Sequence, residues 1–429
     1  MRILIIPFGS HGDVHPLVGI GEALRRRGHD VHVIVSPHFA ELVSAAGLVL
    51  EPLGTDEDFR EILEHPDLWK PRKAFYVVAE GMKRHLEPCF ETIERLHRPG
   101  ETILVGGSLA FAARIANEAL GIPLATVHLQ PGVMISVEEP PYFPELRINK
   151  DWPRWFKRLI LSLIHSIVDR VLGTQLNAFR ARWKLPPMRR VMDEWWNSPD
   201  LVLGMFPEWF APPASDWPKQ LTLVGFPLYD ESHHRAPDPE LEGFLAAGDP
   251  PIVFTFGSAM TQGHDVFAMS VEACERLGKR GLFLARFRDQ IPDPLPSTIR
   301  YFSYIPFSQV FPRAAAVVQH GGIGTTAQAL AAGIPQLIVA LAHDQFDNGS
   351  RVEKLGCGRL LPRRKYTAST ATSALKTLLE SPEVRRAAQA CAARTSGSFS
   401  IARACELIEN LGPDSPIARS KPAPTEASL

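Results

Sequence analysis

Through the first half of the chain, short apolar runs alternate with longer stretches in which apolar residues recur every three or four positions. "ILII" (3–6) is followed by helical spacing over Leu17–Arg27, then "VHVIV" (31–35), Phe39–Ala46, a long helical stretch from 74 to 98, "TILVGG" (102–107), Ala110–Leu120 and "LATVHL" (124–129). Apolar runs without polar alternation mark strands buried on both faces, and the helices between them are the crossovers that parallel strands require. The second half repeats the style with "PIVFTFGS" (251–258), Val266–Lys279, "GLFLARF" (281–287), "RYFSY" (300–304), "AAVVQH" (315–320), Gly324–Ala332, "PQLIVAL" (335–341) and helical spacing to 410. The pattern predicts an α/β chain of two Rossmann-like, doubly wound parallel-sheet domains in series.

Residues 1–228 are the expected first domain, and 229–250, rich in Pro, Asp and His, reads as a linker. Residues 251–411 form the second, with its last helix free to pack back on the first, and the Pro/Ser/Ala-rich 412–429 reads as a disordered tail. Seven of the eight tryptophans lie between Trp152 and Trp217, in a segment that interrupts the strand–helix alternation. Aromatic packing of an insertion and an apolar pocket for a bulky or lipidic ligand both explain that cluster. The stretch 154–173 ("RWFKRLILSLIHSIVDRVLG") is amphipathic and broken by charges, so it falls short of the roughly 18 uninterrupted apolar residues of a membrane span. A helix packed on the core is the preferred reading, and peripheral contact with lipid the competing one.

Lys and Arg number 46 against 47 Asp and Glu, a net charge of -1, so no global basicity recruits nucleic acid. Five cysteines in no metal-binding spacing read as reduced thiols of a cytoplasmic protein, and the N-terminal apolar run is too short for a signal peptide.

Candidate chemistry concentrates in "VVQHGGIGTTAQALAAGIPQLIVALAHDQFDN" (317–348). A strand runs into His320, Gly321, Gly322 and Gly324, and a helix follows. Glycines admit close approach of a ligand, and free N–H groups at the helix start form an anion site to which His320 and Thr325 can add donors. After the next strand, Asp344 and Gln345 stand at the edge where α/β crevices lie, offering the paired acceptors and donors that sugar hydroxyls demand. Phosphate and hydroxyl readers side by side imply a nucleotide sugar.

The order "HGGIGTT…AGIP…DQ", with "GSHGDVHPLVGIGEALRRRGHDV" near the N-terminus, resembles GT-B glycosyltransferases of the UDP-glycosyltransferase superfamily. The branch it resembles is the bacterial one, with rhamnolipid rhamnosyltransferases, sterol glucosyltransferases and antibiotic glycosyltransferases. The resemblance implies two domains facing across a cleft, with the acceptor on the first and the donor on the second. It places the base against Tyr304 and Ile305 and the nucleoside against Gln309. His320, Gly322, Gly324 and Thr325 would take the diphosphate, with Gly257 and Ser258 from another strand end and Gly12 from the first loop. Asp344 and Gln345 would hold the sugar. Gln328 stands where many plant members have a ribose-binding glutamate, which tilts the choice between dTDP and UDP toward dTDP.

The N-terminal loop "PFGSHGDVHPLVG" (7–19) carries Ser10, His11, Asp13 and His15. Neighbours on one turn rarely converge as a nucleophilic triad. A hydroxyl attacking an anomeric carbon must lose its proton, and a positioned base contributes roughly 10² to 10⁴ in rate. The family's usual histidine, three residues before the proline, is here Asp13, and the position of its orienting aspartate is Ser108. That pattern matches the bacterial branch, in which an aspartate acts directly. Asp13 is therefore placed ahead of His11 as base, with a helix N-cap as its structural alternative and a helix-start role for His15. The acidic triplet 56–58 reads as solvated, and no metal or cofactor is expected beyond the nucleotide sugar as co-substrate. The implied reaction is inverting transfer of a hexose or deoxyhexose to a hydroxyl of an apolar acceptor such as a lipid, sterol or polyketide. A nucleotide-sugar 2-epimerase of the same fold stays open, whereas a dinucleotide oxidoreductase lacks its glycine fingerprint and acidic strand end.

Overall fold

The computed structural model describes residues 1–143, 146–236, 238–257, 263–395 and 397–412. The first sheet comprises β1 (Arg2–Ile6), β2 (Asp30–Val35), β3 (Val49–Pro52), β4 (Thr102–Gly107), β5 (Leu124–His128), β6 (Leu201–Gly204) and β7 (Leu221–Leu223). They lie in the order β3-β2-β1-β4-β5-β6-β7, every pairing parallel. The second sheet comprises β8 (Ile252–Thr255), β9 (Gly281–Leu284), β10 (Ile299–Phe302), β11 (Ala316–Gln319), β12 (Gln336–Ala340) and β13 (Gly358–Pro362). Its order is β10-β9-β8-β11-β12-β13, again parallel throughout.

Each sheet winds outward from its first strand and then back across it, so the order reverses between β1 and β4 and between β8 and β11. Such switch points leave a crevice beyond the carboxyl ends of the strands. The strands run apolar on both faces because helices cover both. In β1, Ile3 and Ile5 pack toward Val14, Leu17 and Val18, while Leu4 and Ile6 pack toward Leu86, Phe90 and Ile93.

One boundary differs from the sequence expectation. Within the supposed linker, Pro239–Ala246 is a helix capped by Asp238 that buries Leu241 and Leu245 with Val253 and Phe311 of the second domain. The connecting segment before it is tied down, since the Tyr229 hydroxyl donates to Glu22 at 3.0 Å. The last helix, Gly397–Glu409, crosses to the first domain, where Ala404, Cys405 and Ile408 pack with Val18 and Ile20 and Glu409 meets Arg27 and His29, each at 2.8 Å. The tail 413–429 lies outside the described residues.

Most of the aromatic segment is packing, with Trp155 left exposed. Trp183 lies 4.7 Å from Phe90 and Trp195 5.7 Å from Phe111, centroid to centroid, while Phe206, Phe210, Trp217 and Phe226 share a buried cluster with Ala327, Leu330 and Phe346 of the second domain. That shared cluster fixes the two sheets relative to each other behind the cleft.

Candidate functional site

The carboxyl ends of both sheets open onto one interdomain cleft of about 730 Å³. Its floor on the first domain is the loop after β1. The first helix begins at His11 and not near Val14, because Ser10 is its N-cap and Asp13 sits three residues in. Asp13 is thus the acidic member of a capping box, its Oδ2 accepting from the Ser10 amide at 2.8 Å and the Ser10 hydroxyl at 3.3 Å. The loop reaches this geometry through Gly9, whose φ of +132° belongs to the left-handed region and whose missing Cβ would stand 2.2 Å from Asp13 Oδ2. Burial pushes the Asp13 carboxyl up to about 6 despite the two bonds from Ser10.

His11 has a different environment. Its ring packs edge-on against Phe39, His15 and His38, and the Arg286 guanidinium from the end of β9 donates to its Nε2 at 3.1 Å. Burial, then the positive neighbours, hold its pKa down at about 3, so it is neutral at pH 7 with its basic nitrogen engaged. His15 does not serve the helix start; it pairs with Glu231 at 2.9 Å, bridging the helix to the connecting segment. Ser108 bonds His128 at 2.9 Å and is not among the residues lining the cleft. In the acidic triplet, Asp56 pairs with His38 and Arg60, and Asp58 caps its own helix through Thr55.

On the second domain, the turn after β11 is shaped by a buried amide network that the sequence did not single out. Gln319 accepts from the Gly321 amide at 2.6 Å and donates to Thr326 and Gln336, each at 3.0 Å. Gly321 has φ +105°, and a side chain there would strike the Gln345 carbonyl at 2.8 Å. The turn delivers Gly322 as N-cap of the helix Ile323–Ala332, whose first turn faces the cleft without a side-chain cap. A Cβ on Gly324 would meet nothing within 4 Å, leaving the N–H groups open to an anion. His320 is clasped between Gly257 and Gly322, where added Cβ atoms would lie 2.9 and 2.5 Å from its Nε2. Burial, then His343, keep its pKa down at about 4, so it meets a ligand as a neutral imidazole.

Beyond β12, Asp344 faces the cleft with its pKa raised to about 7 by burial and by the charge of Asp13 across the interdomain gap. One of its oxygens takes the Asn348 amide at 2.6 Å, and Asn348 also donates to the Gly321 carbonyl at 2.9 Å, clipping the loop after β12 to the turn after β11. Gln345 is narrower in its offer than expected. Its Oε1 accepts from the amides of Leu341 and Ala342 at 2.7 and 3.0 Å, leaving its NH₂ as the group for a ligand.

Tyr304, Ile305, Thr325 and Gln328 line the same cleft, as do Gly12 and Gly257. Tyr304 presents one ring face, since Arg235 covers the ring at 4.6 Å and its hydroxyl donates to the Asp230 carbonyl at 3.0 Å. Gln309, on the short helix Phe307–Val310, is not among the residues lining the cleft. Ser258 lies outside the described residues. The apolar wall comes from Phe8, Phe59, Ile62, Leu68, Trp69 and Val78, and the tryptophans between 152 and 217 take no part in it. The residues missed in the sequence were Gln319, Gln336 and Asn348, and their signal was polar side chains inside otherwise apolar strands and at i+4 from Asp344. Arg286 carried no local signal.

Comparison with known proteins agrees with this geometry. Residues 3–139 match the glycosyltransferase family 28 N-terminal domain, and 284–406 match the C-terminal domain of erythromycin biosynthesis protein CIII-like proteins. The chain is 28% identical to O-mycaminosyltylonolide 6-deoxyallosyltransferase of Streptomyces fradiae, covering 95% of this chain and 97% of that protein. It is 29% identical to glycosyltransferase GtfC of Amycolatopsis orientalis, covering 94% and 96%. Among solved structures, the kitacinnamycin glycosyltransferase superposes with a TM-score of 0.75 at 21% identity over 96% of this chain and 98% of that one. Glycosyltransferase VinC, solved in complex with dTDP, superposes with a TM-score of 0.66 at 20% identity over 96% and 100%.

Proposed function

The chain is a glycosyltransferase of the UDP-glycosyltransferase superfamily with the GT-B fold, and from that premise we propose that it transfers a hexose or deoxyhexose from a dTDP-sugar to a hydroxyl of an apolar acceptor. The observation that carries this reading is the meeting, in one cleft, of the Asp13 carboxylate from the first domain with the open helix start at Ile323 and with Asp344 from the second. The acceptor lies against Phe8, Phe59, Ile62 and Trp69, with its hydroxyl at Asp13.

The acceptor oxygen bonds to the anomeric carbon as its proton passes to Asp13, and the carbon–oxygen bond to the diphosphate breaks with its electron pair leaving on the phosphate. Attack on the face opposite the leaving group inverts the anomeric centre. The N–H groups at Gly322–Gly324, the helix dipole and Thr325 take up the charge that develops on the diphosphate, the task a metal ion performs in other transferases. Asp344 and the Gln345 amide hold sugar hydroxyls. A base of pKa about 6 is better matched to neutral pH than an ordinary carboxylate and is still ionised there. The Arg286 contact disfavours His11 for that role.

The dTDP preference draws support from Gln328, a neutral amide where a ribose-gripping carboxylate would favour UDP, and from VinC, solved with dTDP. Five free, buried cysteines suit a cytoplasmic enzyme. The test is to screen dTDP- and UDP-sugars by thermal shift, then to determine the anomeric configuration of the product by NMR. A dTDP-sugar shift with an inverted glycoside supports the proposal. Donor isomerisation without any acceptor would replace it with the epimerase, and no donor-dependent shift would overturn it.

A further inference from the structure

The helix Arg154–Val168 buries polar side chains beside apolar ones and leaves a row of large apolar side chains exposed. The face it turns to the protein holds Lys157, Leu161, His165 and Val168, all buried, with the Lys157 ammonium donating to the Lys150 carbonyl at 2.8 Å and His165 set 3.3 Å from Asp193. The opposite face carries Trp155, Leu159, Leu163 and Ile167 at i+4 intervals, exposed by 68, 51, 59 and 54%. A helix facing water puts its apolar stripe inward and its charges outward. Here a lysine and a histidine go in and four large apolar side chains stay out.

The neighbouring exposed row is Arg154, Arg158, Ser162, Ser166 and Arg170, three cations and no acid. Arg154 meets Glu138 at 3.2 Å, and Arg158 and Arg170 flank the apolar row near its two ends. An apolar stripe with an indole at one end and arginines beside it fits the boundary between acyl chains and anionic headgroups. The helical run Arg154–Arg182 is long enough to cross a bilayer, but Leu172, Leu176 and Phe179 on its continuation are buried in the first domain's core, which keeps it on the surface.

We propose that the Trp155–Ile167 face is a docking surface for an anionic lipid bilayer, on which the enzyme lies with this helix in the interfacial plane. The surface is separate from the cleft, so it holds whichever acceptor the enzyme uses. An acceptor dissolved in the bilayer would be brought to the enzyme by it.

The experiment is co-sedimentation of the full chain with vesicles of phosphatidylcholine containing about 30% phosphatidylglycerol, against vesicles of phosphatidylcholine alone. The variants are Leu159→Ser/Leu163→Ser, which removes the stripe, and Arg158→Ser/Arg170→Ser, which removes the charge. The bound fraction should fall about tenfold with the first and fall on the anionic vesicles with the second. All four positions are exposed, and circular dichroism with an unchanged donor thermal shift establishes that each variant is folded. Failure of the parent chain to sediment, or equal sedimentation of the stripe variant, overturns the proposal. So does a dimer by light scattering that Leu159→Ser/Leu163→Ser dissociates, since the face would then belong to a second copy.

Discussion

Replacing Asp13 by asparagine should push activity and stability in opposite directions. The side chain keeps its shape, and its Oδ1 can still accept from the Ser10 amide that now bonds Asp13 at 2.8 Å. What disappears is a carboxylate whose pKa burial has moved from 3.8 to about 6. At about 1.4 kcal/mol per pKa unit, ionising Asp13 in the folded protein costs roughly 3 kcal/mol. Because the residue keeps one edge on the cleft, about 2 kcal/mol is the expected gain for the variant. The sign follows from which state holds the proton. Below pH about 4 both folded and unfolded chains are protonated and the cost is absent. Between about 4 and 6 the unfolded chain ionises first and the parent loses stability, and above about 6 the whole cost is present. Urea unfolding at pH 8 should therefore show the variant more stable, thermal unfolding should raise its Tm by on the order of 5 °C, and the two proteins should converge at pH 4. Turnover of a dTDP-sugar should fall by roughly 10² to 10⁴. A variant less stable at pH 8, or a gain independent of pH, would refute the burial argument. A variant with full turnover would refute the assignment of the base.

Four further outcomes are expected. His11→Gln should lower turnover less than about tenfold and leave the acid limb of the pH–rate profile near 6, since His11 is neutral above pH about 3. Gly9→Ala forces a methyl against Asp13 at a left-handed φ, so kcat should drop about a hundredfold while dTDP affinity, measured by calorimetry, changes less than about twofold. Gly322→Ala drives a Cβ to 2.5 Å from the His320 ring and should weaken dTDP binding about tenfold with little effect on thymidine, so the loss is read from the pair of titrations. Excess EDTA should leave turnover unchanged; loss restored by added magnesium would transfer charge neutralisation from the Ile323 helix to a metal.

Much of the fold was legible because buried parallel strands write themselves as apolar runs at fixed intervals. "ILII", "TILVGG", "PIVFTF" and "PQLIVAL" each fall on a strand of the structure. The glycine turn after β11 was legible for a related reason, since Gly321 and Gly322 are demanded locally by a positive φ and by the closeness of His320. Where the sequence misled, the cause was long-range contact. The supposed linker holds a helix because Leu241 and Leu245 find the second domain's core. The sequence leaves the tryptophan-rich segment open between packing and a pocket, because composition alone does not separate an aromatic that lines a cavity from one that fills a core.

The sequence by itself determined the alternation, the two sheets and the glycine turn, because each depends on backbone geometry and on residues near one another in the chain. The sequence already places Asp13 ahead of His11 as the proposed base, and the tertiary structure adds the surroundings that support that order. The two lie two residues apart on one helical turn, yet Arg286, about 275 residues away, occupies the imidazole nitrogen, while burial raises the Asp13 carboxyl to about 6. Proton affinity is set by what surrounds a group in space, and His38 and Arg286, distant in sequence from His11, reach it only in the folded chain.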